Sequence, residues 1–269
     1  MLTQRILTAL ILIPLTIWFV VDASPLCFSI ITGIVMLYAA WEWTGLMGVS
    51  SIALRLGYVV LLAMLGFVSQ WLPLGIFALI GFIWWFFAIF VLRRYSQGNS
   101  KGLTGHFNQG FIGLLILLPC YLSLLILHAA HYGVGLILIL LLLVAATDSG
   151  AYFAGRWFGK HKLAPSISPG KTIEGVIGGV VVMLICVFIA SLFLSYNMMD
   201  TLVLLAISII TALFSVVGDL TESIFKRIRG AKDSGNILPG HGGVLDRMDS
   251  YTAAAPVFTI GLLVSGLLT

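Results

Sequence analysis

Apolar runs follow one another along almost the whole chain, and the charged positions fall between them. Each run is close to the ~20 residues that a helix needs to cross about 30 Å of hydrocarbon. Nine runs can be traced, at 6–21, 26–47, 51–69, 72–92, 110–127, 133–147, 174–195, 201–218 and 252–268. The pattern predicts an all-α polytopic integral membrane protein with about nine transmembrane helices. No segment is left over that could form a soluble domain.

The basic residues all fall on one side of the predicted spans. All 14 Lys and Arg lie at the N-terminus or in the loops after the second, fourth, sixth and eighth runs. Basic residues concentrate in cytoplasmic loops, so we expect a cytoplasmic N-terminus and a C-terminus outside. The same bias explains the net charge of +4 without nucleic acid as a partner. The three Cys lie in or beside apolar runs without metal-ligand spacing, which argues against a zinc site or a disulfide.

The acidic residues show a second asymmetry, which the positive-inside bias does not explain. Seven of the ten lie in or beside the last two cytoplasmic loops. They are Asp148, Glu174, Asp219, Glu222, Asp233, Asp246 and Asp249. Carboxylates at the mouths of membrane helices are costly and are candidates for function by default. The sequence therefore indicates chemistry on the cytoplasmic side, in the second half of the chain.

The carboxylates are spaced so that they share helix faces. If the eighth helix continues past its apolar run, Asp219, Glu222, Ser223 and Lys226 fall on one face. Asp246 and Asp249 are three positions apart at the start of the ninth run. Solvated ion pairs and helix capping are the simpler interpretations of these groups. Hard oxygen ligands from two helix ends also suit Mg²⁺, which binds carboxylates, water and substrate phosphates.

Glycines and basic residues surround these acids. The stretch 232–249 contains Gly235, Gly240, Gly242 and Gly243, which allow tight turns that direct N–H groups onto an anion. A second segment, 168–172, ends in Gly-Lys-Thr but has Pro165 where a P-loop needs its first glycine. We therefore expect only a basic, glycine-containing phosphate loop there. Together these features favour phosphate chemistry with a metal, and the membrane setting makes the other substrate a lipid.

Three blocks of this region resemble the signature of the phosphatidate cytidylyltransferase (CDP-diacylglycerol synthase) family. They are Asp148 to Thr172, the pair Gly218-Asp219, and Ser223 to Asp249. The resemblance is strong over about 145–255. It implies that CTP and phosphatidate give CDP-diacylglycerol and diphosphate, with Mg²⁺, in membrane phospholipid biosynthesis. It also implies a homodimer in the cell (inner) membrane with its active site on the cytoplasmic side.

The resemblance, with position and charge, suggests a role for each polar residue. We expect Asp219 and Asp246 to bind the metal, with Asp249 next and Asp148 or Asp233 as further candidates, and a second cation stays open. Phosphates of the two substrates would be held by Lys226, Arg227, Lys232 and Arg247. Lys171 would hold a CTP or lipid phosphate, and Ser223 would also contact substrate. His241, Gly242 and Gly243 would cradle the triphosphate or the leaving diphosphate.

The chain is then expected to form a single transmembrane domain over 1–269. Within it, 1–147 would be an N-terminal helix bundle portion. Residues 148–269 would be the catalytic portion, with cytoplasmic loops at 148–173 and 219–251. No role is assigned to Glu42, which lies within the second run.

Two other functions fit parts of the sequence. A CTP-dependent kinase of a lipid alcohol would use similar groups, but it needs a base to accept a hydroxyl proton, which would give His241 another role. A membrane transporter would also place charges at helix ends. It would typically show polar, broken helices near the membrane midplane, whereas the centres of these runs are apolar.

Overall fold

The structure is a computed structural model that describes residues 2–193, 196–237 and 242–268, with side chains from residue 10 onward. Within these residues the chain forms nine α-helices and one small β-hairpin. The helices are α1 Leu2–Asp22, α2 Pro25–Leu46, α3 Ile52–Ser69, α4 Gly75–Ser96, α5 His106–Ala129, α6 Gly133–Phe158, α7 Ile173–Ser191, α8 Met198–Arg229 and α9 Leu245–Ser265. The antiparallel strands β1 Lys162–Ala164 and β2 Ser168–Thr172 form the hairpin between α6 and α7. The predicted all-α architecture is confirmed.

Seven of the described helices, α2 to α8, are long and apolar enough to cross a membrane. The described apolar part of α1, Leu10–Asp22, is shorter, and α9 is not among the seven. The molecule is thus a polytopic membrane protein, and each predicted span coincides with a helix. The count of nine crossings and the orientation of the termini stay predictions.

Side chains of the chain itself start several of these helices. Ser24, Ser51 and Asn197 accept hydrogen bonds from backbone N–H groups in the first turns of α2, α3 and α8. Thr172 does the same for α7, so the last residue of the hairpin is also the N-cap of that helix. Each bond satisfies one of the N–H groups that a helix start leaves unpaired.

Two predicted loops are partly helical. The sequence predicts loops over 148–173 and 219–251. In the structure α6 continues to Phe158, and 219–251 is helical up to Arg229 and again from Leu245. The apolar pattern ends where polar residues begin, but helical backbone hydrogen bonds persist in water as well as in lipid. At 32 residues, α8 extends about 48 Å, which is longer than the hydrocarbon layer is thick. The polar residues of these segments therefore stand on rigid helices.

The helix ends gather in two groups. Glu42, near the end of α2, contacts Val244 just before α9, whereas Phe28, near the start of α2, stacks on His128 at the end of α5 with ring centroids 4.0 Å apart. We call the first group the charged end: the C-terminal ends of α2, α4, α6 and α8 and the N-terminal ends of α3, α5, α7 and α9. The described Lys and Arg side chains belong to this end.

Glycines let α6 and α7 pack closely enough to fix the hairpin between them. A Cβ on Gly150 of α6 would lie 2.9 Å from the Cα of Gly179 of α7. A Cβ on Gly179 would lie 2.5 Å from the carbonyl oxygen of Thr147, and one on Gly178 would overlap Ala154. Only hydrogen atoms fit in this contact. The hairpin is therefore carried on a tightly joined helix pair.

Candidate active site

A buried ion cluster joins α8 to α9 at the charged end. The Nζ of Lys226 lies 2.9 Å from Oδ1 of Asp246 and 3.3 Å from Oε1 of Glu222. The side chains are only 12%, 7% and 4% exposed, respectively. The Lys226–Asp246 pair is tolerated at this depth because its two charges are hydrogen-bonded to each other, whereas the Glu222 oxygens accept no hydrogen bond from the described residues. The predicted shared face of α8 is confirmed for Glu222 and Lys226, and Lys226 meets carboxylates of the protein itself.

Asp246 holds the loop that precedes α9. Its Oδ2 accepts hydrogen bonds from the backbone N–H of Ser234 at 2.9 Å and of Gly243 at 2.8 Å. Burial raises the pKa of Asp246, but the Lys226 cation and these two N–H groups outweigh burial, so the pKa lies below its usual value. Asp246 is therefore a carboxylate that already accepts three hydrogen bonds. Counted over the described residues, about one lone-pair direction is left for a metal ion.

Lys171 and Asp219 form a second, more open ion pair. The Nζ of Lys171 on β2 lies 2.6 Å from Oδ2 of Asp219, and the side chains are 24% and 28% exposed. The other oxygen of Asp219 accepts a hydrogen bond from Ser223 Oγ at 3.3 Å. Lys171 and Asp219, which the sequence predicts as site residues in two distant segments, thus contact each other.

Two further carboxylates, from α6 and α9, lie near enough to Asp219 for their charges to interact with it. Asp148 of α6, Asp219 of α8 and Asp249 of α9 interact electrostatically with one another, and Lys171 and Arg247 are the cations that act on Asp148. We call Asp148, Asp219 and Asp249 the carboxylate cluster. Carboxylates that repel one another in this way attract cations.

The described residues do not complete a metal site by themselves. No group of three or more His, Cys, Asp or Glu side chains among them is arranged to hold a metal ion. A Mg²⁺ ion usually takes one or two carboxylates, and water and substrate phosphates complete its shell. The donor set at the charged end fits such an ion, and the metal assignments stay predictions.

A cavity of about 460 Å³ opens between α6, the hairpin, α7 and α8. Asp148, Lys171 and Asp219 line it together with Arg156, a residue that the sequence did not single out. Apolar side chains such as Val216 complete the lining. The cavity therefore offers both charge and an apolar wall. A groove of similar size between α2, α3 and α5 is lined by uncharged residues and has no such chemistry.

The structure places the other predicted residues as follows. Arg227 donates from Nε to the carbonyl oxygen of Ile167 at 3.1 Å, so it ties α8 to the hairpin. Lys232 and Asp233 are exposed on the loop before Ser234. Gly242 has a φ of +81°, which favours glycine, and the N–H of Gly243 is engaged by Asp246. His241 lies outside the described residues. The substrate contacts predicted for these residues stay predictions.

Glu42 reaches the site from the N-terminal half of the chain. It is 4% exposed, and its carboxylate accepts hydrogen bonds from Val244 N–H at 3.1 Å, Leu245 N–H at 2.8 Å and Ser234 Oγ at 3.2 Å. The sequence pattern assigns Glu42 no role. The signal in the sequence was a carboxylate inside an apolar helix. Burying such a group costs free energy unless it is hydrogen-bonded or ion-paired.

Comparison with known proteins identifies the family. The profile of the cytidylyltransferase family matches residues 3–265. The chain belongs to the cytidylyltransferase family. This match extends well beyond the region 145–255 that carries the motif resemblance, so the N-terminal helices are also part of the family fold.

Two members of the cytidylyltransferase family align with nearly the whole chain. The phosphatidate cytidylyltransferase of Pseudomonas aeruginosa is 41% identical over 271 residues, covering 99% of this chain and 98% of its own. The phosphatidate cytidylyltransferase of Haemophilus influenzae is 36% identical over 287 residues, covering 96% and 98%. The enzyme of the same name from Staphylococcus saprophyticus is 50% identical over 131 residues, about half of each chain.

Proposed function

We propose that this protein transfers the cytidylyl group of CTP to phosphatidate, which gives CDP-diacylglycerol and diphosphate for membrane phospholipid biosynthesis. Two relatives aligned over nearly their full length carry the name of this activity. One structural observation carries the proposal. The carboxylate cluster meets Lys171 at the ends of membrane helices, beside a cavity with an apolar wall.

Charge is the main obstacle to this reaction. The phosphate of phosphatidate carries about −1.5 to −2 charges at neutral pH, and CTP is more negative still. Lys171, Arg156 and Arg247 would offset this repulsion, and Lys232 would approach from the loop. Preorganised cations of this kind stabilise charge as it develops in the transition state. The lipid phosphate is itself an anionic nucleophile, so it would attack the α-phosphorus in line with the diphosphate without a strong general base.

We propose that the carboxylate cluster, with Asp246 through its remaining lone pair, would hold Mg²⁺. When bound, Mg²⁺ would supply positive charge that offsets the charge of the triphosphate and of the leaving diphosphate. Asp233 stays a further candidate ligand, from the exposed loop. A second cation at this site stays a prediction.

We further propose that the charged end faces the cytoplasm of a bacterial inner membrane, and that two copies form a homodimer. The concentration of Lys and Arg at one end supports the orientation. Membrane-impermeant labelling of single cysteines at Lys162 and Tyr132, which lie at opposite ends, tests the orientation in intact cells. Native mass spectrometry of the purified protein tests the dimer.

The reaction is tested with purified protein in detergent, Mg²⁺, dioleoyl phosphatidate, and CTP labelled separately at the α and γ positions. Label moving from the α position into lipid, with release of diphosphate, supports the proposal. Transfer of the γ label to a lipid alcohol, with release of CDP, would instead make the protein a kinase. Failure of both labels to transfer would overturn both enzymatic functions and favour a transporter.

A further inference from the structure

Glu42 and Asp246 hold the same piece of loop from opposite sides. The backbone N–H of Ser234 donates to Asp246, and the Ser234 hydroxyl donates to Glu42. Ser234 lies on the N-terminal arm of the loop. On the C-terminal arm, Gly243 N–H donates to Asp246, and Val244 N–H donates to Glu42. We call Ser234, Gly235, Gly243 and Val244 the loop base. Two carboxylates that are 204 positions apart in sequence therefore join the two arms of the loop base.

The glycines of the loop base make room for the Glu42 carboxylate. A Cβ built on Gly235 would overlap Oε1 of Glu42. A Cβ on Gly243 would lie 2.5 Å from Oε2 of Glu42 and would overlap the Ser234 hydroxyl. Real Cβ atoms do not approach that closely, so any side chain at either position would displace Glu42. The absence of a side chain at these two glycines therefore leaves the space that the Glu42 carboxylate occupies.

Glu42 also acts on the start of α9. Leu245 N–H, at the first residue of that helix, donates to Oε2 at 2.8 Å. The N-terminus of a helix leaves its first N–H groups unpaired and carries partial positive charge, so a carboxylate there fixes the helix end. Asp246 follows directly, and Asp249 lies one turn further. The position of Glu42 thus sets where the first turn of α9 presents both aspartates.

We propose that Glu42 is a positioning residue for the reaction, acting through the loop base and Asp246. The inference rests on the proposed cytidylyltransferase function. In the described structure its carboxylate contacts protein donors of the loop base and α9, and it does not line the 460 Å³ cavity. Its removal therefore changes how the site is held and leaves the cavity residues in place.

The test uses full-length Glu42→Gln, Glu42→Ala and Gly235→Ala, with Asp22→Asn as a matched control at the opposite end. Gln keeps the size of Glu but replaces one acceptor oxygen with an NH₂ donor that faces N–H groups. We expect Glu42→Gln to lower kcat at least about tenfold and raise KM for CTP at least about threefold, because misplaced electrostatic groups lose transition-state stabilisation. A purely structural defect would reduce the amount of active enzyme and leave KM unchanged.

Gly235→Ala provides a second, independent test. Ala at this position should reproduce the rise in KM by displacing Glu42, and it should add little in the Glu42→Ala background, where its Cβ has space. Such non-additivity is the signature of two residues acting on one contact. Additive effects of the two changes would overturn the inference. If Glu42→Ala does not fold, the two single variants Glu42→Gln and Gly235→Ala still decide it.

A readout without catalysis separates this inference from the proposed function. Limited trypsin digestion in detergent compares cleavage after Lys232, next to the loop base, with cleavage after the exposed Lys101 between α4 and α5. Glu42→Gln should accelerate cleavage after Lys232 at least about threefold relative to cleavage after Lys101, since a less constrained segment opens more often to the protease. Unchanged cleavage together with unchanged KM would overturn the inference. Lack of cytidylyl transfer by the wild-type protein would instead overturn the proposed function, and the cleavage ratio would still report on Glu42.

Discussion

Lys171 of the hairpin and Asp219 of α8 lie 2.6 Å apart, and this ion pair connects two segments separated by α7. The pair forms part of the wall of the cavity between α6, α7 and α8. The cation that would bind a substrate phosphate is therefore held by a carboxylate that would bind the metal. Replacing either residue should affect the other.

Lys171→Ala should lower kcat/KM about 100-fold, because it removes a preorganised cation from the position where phosphate charge develops. Lys171→Arg keeps the charge and should retain part of the activity. Lys162→Ala is the matched control, since Lys162 is an exposed residue of the same hairpin. The assay follows α-labelled CTP into lipid for all three variants. Equal rates for Lys171→Ala and Lys162→Ala would remove Lys171 from the site.

Metal removal should abolish turnover, and Mg²⁺ should restore it. Asp219→Asn should raise the Mg²⁺ concentration needed for half-maximal activity by about tenfold or more, since it removes a proposed ligand charge. Activity is titrated with Mg²⁺ after EDTA treatment. Asp22→Asn, at the opposite end, should match the wild-type titration. A full rate for Asp219→Asn at the wild-type Mg²⁺ concentration would contradict the assignment.

Lys226→Met should destabilise the protein strongly, because it leaves Glu222 and Asp246 buried without their cation. Breaking a buried ion pair from one side costs about 3–5 kcal/mol, which corresponds to a fall in Tm of roughly 6–20 °C for a chain of this size. Thermal unfolding in detergent measures the change. The double variant Lys226→Met/Glu222→Gln should regain part of the loss, since one uncompensated charge is removed. A double variant less stable than the single variant would show that Glu222 is held by other groups.

Gly178→Leu should separate α6 from α7 and disturb the hairpin, because even a Cβ at this position overlaps Ala154. We expect a loss of about 2–4 kcal/mol, in line with severe overpacking, and a matching fall in activity. Gly57→Leu is the control, since a Cβ on Gly57 has no described atom within 4 Å. Thermal unfolding and the labelled-CTP assay are applied to both. Equal stability of the two variants would contradict the close contact.

The sequence predicted the helices well and the polar segments less well. Lipid imposes long apolar runs, so the runs could be located by hydropathy, and each coincides with a helix. The same criterion ended α6 and α8 too early, because a helix that leaves the hydrocarbon continues as long as its own hydrogen bonds are satisfied. The face shared by Glu222 and Lys226 followed from helical spacing alone.

The sequence by itself determined the membrane class, the charged end and most of the residues gathered there, because apolar length, charge bias and helical spacing are local properties of the chain. Only the tertiary structure decided which of those residues meet. It paired Lys226 with Asp246 and Lys171 with Asp219. It also brought Glu42 of α2 to the loop base, which precedes α9. Contacts between distant segments depend on how helices pack. That packing is fixed here by features such as the α6–α7 glycines, which no local pattern reveals.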